Sequence, residues 1–202
     1  MKRISSKKEL RFYIMADMMM NRGVFKRSLK KRIRDFFFPD YTIDFLCLLR
    51  KTSYYYDSWL GLYYRWRLHK ISMKMGYSIS CNSCGYGLLL PHYGTIVVGE
   101  NSIGNYAVLH TSTCISGNGK IIGNALYLAT GAKMTSKVVL GDNVTVAANS
   151  VVTKSFPEGN VLLTGAPASI RKQEVAWYLI QQEGDYQKRV EAIECLRSKM
   201  GL

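Results

Sequence analysis

The chain has 202 residues, with 28 Lys and Arg against 14 Asp and Glu and a formal net charge of +14. That length allows one domain, or one domain with appendages, and a real buried core. No run approaches the ~20 apolar residues of a membrane span, and Arg11 and Asp17 interrupt the stretch after the basic start, which argues against a secretory signal.

Residues 1–75 read as a helical, basic N-terminal region. Ser6 to about Asn21 has Leu10, Tyr13, Ile14, Ala16 and Met18 available to one apolar face, and Asn21-Arg-Gly23 is a stop. Pro39-Asp40 breaks the chain again. Thr42 to Tyr55 and Ser58 to Met75 then form two more helical stretches, ending at Gly76. Through Lys74 there are 18 Lys or Arg against 6 acids; beyond it the balance is 10 against 8. Tyr54-Tyr-Tyr and Leu62-Tyr-Tyr-Arg-Trp-Arg-Leu68 mix aromatics with cations. A solvated face is the plainest reading of that mixture. Peripheral contact with an anionic membrane is the second. A nucleic acid is set aside, because no reading motif accompanies the charge. His69 falls on this basic helix and is assigned to a surface or interface.

After Gly76 the period changes. Apolar markers stand at Ile103, Leu109, Ile115, Ile122, Leu128, Met134, Leu140, Val146 and Val152. Every step is six residues except Ile115 to Ile122, which is seven. A small residue often follows: Gly104, Gly123, Ala129, Gly141, Ala147. Neither a helix nor a simple alternating strand has this period, whereas a parallel β-helix does, with about three hexads to a coil. Residues 76–172 are therefore a β-helix whose markers stack inward. The longer step falls at Ser116-Gly-Asn-Gly-Lys120, a short loop of the kind that gathers on one face of such repeats. Thr164-Gly-Ala-Pro-Ala168 reads as a strand-ending turn. Residues 173–202 read as a C-terminal helix from Gln173 to Met200, with Val175, Leu179, Val190, Ile193 and Leu196 as its stripe and Gly184 as a break. The fold class is mainly β with helical appendages.

Five cysteines, Cys47, Cys81, Cys84, Cys114 and Cys195, are scattered and odd in number, which fits reduced thiols in a cytoplasmic protein. Cys81-x-x-Cys84 is half of a four-ligand zinc pattern with no partner pair. It reads as two packed thiols, and no metal is expected.

His92 lies in Leu90-Pro-His-Tyr-Gly-Thr-Ile-Val-Val-Gly-Glu100, at the entrance to the repeat. An imidazole with an ordinary pKa of ~6.5 is largely neutral near pH 7 and can accept a proton. His92-Tyr-Gly-Thr-Ile-Val-Val-Gly-Glu100, Ile103-Gly-Asn105, Leu109-His110, Gly131-Ala-Lys133, Leu140-Gly-Asp-Asn143, Ala148-Asn-Ser-Val-Val152 and Gly165-Ala-Pro-Ala168 together resemble the serine acetyltransferase branch of the hexapeptide-repeat acyltransferases. The likeness covers about residues 76 to 172.

That resemblance implies a left-handed β-helix assembled as a homotrimer, with the active site between adjacent subunits. It implies acetyl transfer from acetyl-CoA to a hydroxyl, with His92 as general base. His110 and Tyr93 are assigned to the acceptor. Thr130, Gly131 and Ala148 are assigned to the pantetheine arm, Gly165 to the shape of its groove, and Lys154, Arg171 and Lys172 to the CoA phosphates. Where the family carries an aspartate that orients the histidine, this chain has Tyr77. Tyr77, a backbone carbonyl and Glu100 are the candidates for that role. Pro91 replaces the acidic residue before the histidine, and the family's Arg-His pair is missing from the shortened 116–120 loop. A serine-holding site without those charges points to another acceptor. The expectation is an O-acetyltransferase acting on a saccharide, free or lipid-linked at the inner face of the membrane, in capsular or exopolysaccharide synthesis. The alternatives are serine O-acetyltransferase of cysteine biosynthesis and a non-catalytic β-helix scaffold that binds a membrane or a partner.

Overall fold

The helices begin and end on the residues that cap them. The computed structural model describes residues 3–181 and 184–202; for Lys31 and Arg32 it describes the backbone alone. Helix α1 (Lys7–Arg22) starts where the Ser6 hydroxyl accepts from the Glu9 N–H, and ends at Gly23 with φ 67°. Helix α2 (Leu29–Phe37) follows. Helix α3 (Tyr41–Tyr54) starts at the Asp40 carboxylate, and α4 (Trp59–Met75) at the Ser58 hydroxyl. Gly76 closes α4 at φ 73°, a conformation that costs glycine little.

From Gly76 the chain winds into about five coils, whose short strands stack into three ladders. The first ladder stacks β1 (Tyr77–Ile79), β2 (Ile96–Val98), β5 (Thr113–Ile115), β8 (Lys133–Met134) and β11 (Val151–Val152). The second stacks β3 (Ser102–Ile103), β6 (Ile121–Ile122) and β9 (Val139–Leu140). The third stacks β4 (Val108–Leu109), β7 (Tyr127–Leu128), β10 (Val144–Val146) and β12 (Val161–Gly165) in parallel, with β13 (Ala168–Gln173) antiparallel on its edge. This is the left-handed β-helix that the resemblance implies. Each marker meets the marker three hexads on: Ile103 pairs with Ile122, Leu109 with Leu128, and Ile115 with Met134. All nine markers are buried. Full burial of one such side chain contributes about 1.5–3 kcal/mol.

The first coil would expose an unpaired strand edge, which sheets ordinarily cover. Here α1 covers it with two side chains one turn apart. Asp17 accepts from the Leu88 N–H at 3.0 Å. Asn21 donates to the Leu88 carbonyl at 2.8 Å and accepts from the Leu90 N–H at 3.1 Å. Arg50 of α3 completes the joint, donating to Asp17 at 2.7 Å and to the carbonyls of Cys84 and Gly85 at 2.7 and 2.6 Å. Asp17 and Arg50 are both buried.

At the C-terminus one expectation is corrected and another, the break at Gly184, is met. Gln173 does not open a helix, because it pairs with Val161 in the β12–β13 hairpin. The helical part is broken into α5 (Trp177–Ile180) and α6 (Tyr186–Lys199), with Gly184 and Asp185 both at positive φ between them. Val190 and Ile193 are buried as the stripe requires, whereas Val175 and Leu179 are about half exposed. The 116–120 loop is a tight turn. Asn101 donates to the Gly117 carbonyl at 3.1 Å and accepts from the Lys120 N–H at 2.9 Å.

All five cysteines are free. Burial pushes the Cys84 thiol up to about 12, so it packs as a neutral group. Among the described residues, no three His, Cys, Asp or Glu side chains lie close enough to share a metal ion.

Candidate active site

The site lies on the corner where the chain leaves the third ladder for the first. Leu89 pairs with Val108, Val108 with Tyr127, Tyr127 with Thr145, and Thr145 with Leu162. Three residues beyond each of these, one column holds His92, Thr111, Thr130, Ala148 and Gly165. Backbone bonds carry the register round the corner: Gly131 donates to Thr111, and Asn149 to Thr130. At the ~4.8 Å spacing of adjacent strands, the column runs roughly 19 Å. Below His92 its side chains are short. At Gly131, with φ 75°, a Cβ would stand 2.1 Å from the Asn149 amide oxygen, so a larger residue would have to displace that side chain. The result is an open track with an imidazole at one end.

His92 itself is exposed in the single chain. Its ring lies 6.5 Å from that of His110, which in turn lies 5.1 Å from Tyr127. These three line a cleft of about 760 Å³ with Pro91, and Ile180, Gln181, Gly184 and Tyr186 close one side. Burial, and then the neighbouring His92, hold the His110 imidazole below its ordinary pKa. His110 therefore favours the neutral form, able to donate from one nitrogen and accept at the other.

Tyr77 supports His92 through its backbone. The phenol donates to the His92 carbonyl at 2.8 Å. The Tyr77 ring is buried and packs edge-on to Phe45 at 4.9 Å, and Thr42 of α3 shares a hydrogen bond with its hydroxyl. Burial raises the phenol's pKa, which keeps it protonated and donating. Tyr77 thus fixes the position of residue 92 and leaves the imidazole unbound. Among the described residues, no side chain hydrogen-bonds that ring.

The structure gathers some of the expected residues and separates others. His92, His110, Thr130, Gly131, Ala148 and Gly165 share one corner. Glu100 does not join them. It lies two residues past β2, on the next corner, where its N–H donates to Asn118 and its carbonyl accepts from Gly119. Lys154 stands in the same register past β11, its ammonium 5.5 Å from the Phe156 ring. The 116–120 loop shares that second corner. Arg171 and Lys172 lie on β13, and Lys172 is paired with Glu174 at 2.9 Å. Tyr93 turns from the cleft to line a groove with Arg22, Asp40, Tyr41 and Met75. His69 is exposed on α4. Tyr127, Gln181, Gly184 and Tyr186 belong to the cleft without having been expected there. Tyr127 carried a signal, because it precedes a marker and must point outward from its strand.

No family model matches the chain. A serine acetyltransferase of Helicobacter pylori is 29% identical over 96 residues, which are 44% of this chain and 56% of the relative. One of Staphylococcus aureus is 32% identical over 98 residues, or 45% of this chain and 46% of the relative. The chain thus spans about half the length of the curated relatives it matches. The crystal structure of Neisseria gonorrhoeae serine acetyltransferase superposes with a TM-score of 0.64 at 17% identity, covering 88% of this chain and 73% of its own. Soybean serine acetyltransferase complexed with serine gives 0.62 at 19%, covering 80% and 69%. A serine acetyltransferase complexed with CoA gives 0.57 at 20%, covering 80% and 67%. These structures share the fold.

Proposed function

We propose that this protein is an acetyl-CoA-dependent O-acetyltransferase of the serine acetyltransferase type, with His92 as its general base. One observation carries the reading: His92 heads a column of short residues, Thr111, Thr130, Ala148 and Gly165, along which a linear thioester can lie. His92 takes the proton from the acceptor hydroxyl as that oxygen attacks the acetyl carbonyl. The C–O bond forms, the C–S bond breaks, and the proton passes to the departing thiolate. No acyl-enzyme is needed. A positioned imidazole contributes ~10²–10⁴-fold to such a step. Neutral His110, close by, is a hydrogen-bond partner for the acceptor.

The working unit in this reading is a homotrimer. Within one chain, Glu100 and Lys154 occupy a different corner from His92, and only a neighbouring copy can bring the two corners together. Ile121 and Val139 stack as exposed apolar residues on the outer side of the second ladder, which suits an interface.

The comparisons favour L-serine as acceptor over the saccharide that the missing Arg-His pair suggested. One feature keeps the saccharide as a second reading. Apart from its two histidines, every described residue lining the cleft is uncharged, and two are tyrosines. That lining suits neutral hydroxyls better than a zwitterion. Thiol release from acetyl-CoA, measured with L-serine and with a panel of free and carrier-linked sugars, decides between them. Turnover on serine supports the first reading and turnover on a sugar alone the second. No turnover on any acceptor leaves a non-catalytic scaffold.

A further inference from the structure

Helix α2 is mounted the wrong way round for a helix that belongs to the core. At 100° per residue, Leu29, Ile33, Phe36 and Phe37 fall within an arc of about 100°, the width of an ordinary buried stripe. Yet these residues are 72%, 59%, 81% and 70% exposed, and Phe38 beyond them is 77% exposed. Of the described side chains of α2, Asp35 alone is turned toward the body. The Asp35 side chain is 9% exposed and pairs with Arg27 at 3.2 Å, and Arg27 is also bound to Asp44 of α3 at 2.8 Å. Two ion pairs therefore hold α2 with its apolar stripe turned outward. So large an apolar patch marks a surface that another phase or molecule covers.

We propose that α2 is a membrane-surface element, laying Leu29, Ile33, Phe36 and Phe37 into the acyl boundary of an anionic bilayer. Charge selects this occupant. Lys30 and Arg34 flank the stripe and are exposed, and the sequence of the helix carries one acid, the inward Asp35. Aromatic residues with cations beside them are the composition of interfacial helices. Each such cation adds attraction to an anionic leaflet. A second copy of this chain would bring its own Lys30 and Arg34 against the first pair, and like charges disfavour that contact. Helix α4 repeats the composition, with Trp59 and Trp66 exposed and Lys70 4.1 Å from the Trp66 ring. No described helix is long and apolar enough to cross a membrane, so the contact is with the surface. The proposal rests on burial and charge and is independent of the acetyl transfer.

The test is co-sedimentation of the full chain with vesicles of phosphatidylcholine alone and of phosphatidylcholine mixed with phosphatidylglycerol. Wild type is expected to bind the anionic vesicles only, and to leave them as salt rises. Phe36→Ser with Phe37→Ser is expected to weaken binding by about tenfold or more, with an unchanged circular dichroism spectrum. Lys30→Gln is expected to weaken it less and to reduce the salt dependence. Absence of binding by wild type overturns the proposal, as does full binding by the double variant. So does a smaller assembly on sizing that appears only when the two phenylalanines are replaced, because that assigns the stripe to a second copy.

Discussion

The Tyr77 phenol donates to the backbone carbonyl of His92 at 2.8 Å, so the first strand of the β-helix holds the residue proposed as the base. With Thr42 bonded to the same hydroxyl, the helical region is tied to the site through one side chain. Tyr77 is a positioning residue in this arrangement, and its effect reaches the imidazole only through the main chain.

Tyr77→Phe keeps the ring against Phe45 and removes the donor. Thermal unfolding should show a loss of about 1 kcal/mol, the net worth of one hydrogen bond. The kcat of acetyl transfer should fall while KM for acetyl-CoA holds, because the column below His92 is untouched. An equal loss in both parameters would assign Tyr77 to the groove.

His110 should titrate below its ordinary pKa, because burial and then His92 oppose its charge. Proton NMR of the imidazole checks this, and His92→Gln should move the midpoint up. A histidine whose folded pKa is depressed binds fewer protons folded than unfolded. Its contribution to stability is thus present above the unfolded value of ~6.5 and is lost as pH falls through that region. A His110→Gln variant should show a flatter stability profile there.

The buried Asp17–Arg50 pair joins α1 and α3 to the first coil. Arg50→Met leaves the buried Asp17 carboxyl without its ion partner, a loss of about 3–5 kcal/mol in urea unfolding. Replacing both, with Asp17→Leu added, should recover much of that loss, because two buried charges disappear together.

Leu128→Ala tests the phase of the repeat. It removes a fully buried marker and should cost about 2–5 kcal/mol by the same measurement. Lys137→Ala, an exposed change in a turn, should stay within about 0.5 kcal/mol.

Much of this architecture was legible because the six-residue period and the caps are local signals. All nine markers are buried, and α1 and α4 end on the glycines expected to stop them. The first coil falls within residues 76–172 but carries no marker of its own. Its inward residues Ile79, Cys84 and Leu90 are spaced by five and six and include a cysteine, so no aliphatic phase shows. The C-terminal helix was overdrawn because Gln173 takes its structure from pairing with Val161, a partner that local sequence does not reveal. At the site, His92, Thr130, Ala148 and Gly165 stand in phase with the repeat and share a column. Glu100 and Lys154 were placed by resemblance, although each lies two residues past an inward valine of the first ladder, Val98 and Val152. That phase already puts both on the second corner. Tyr93 was assigned by adjacency to His92, and neighbours in an extended segment point to opposite sides.

The most direct test replaces the imidazole. His92→Ala should lower kcat for thiol release from acetyl-CoA by roughly 10²–10⁴-fold, while calorimetry shows an unchanged Kd for acetyl-CoA and the unfolding temperature holds. Turnover equal to wild type, with the same acceptor and the same pH profile, would contradict the assignment of His92 as the base.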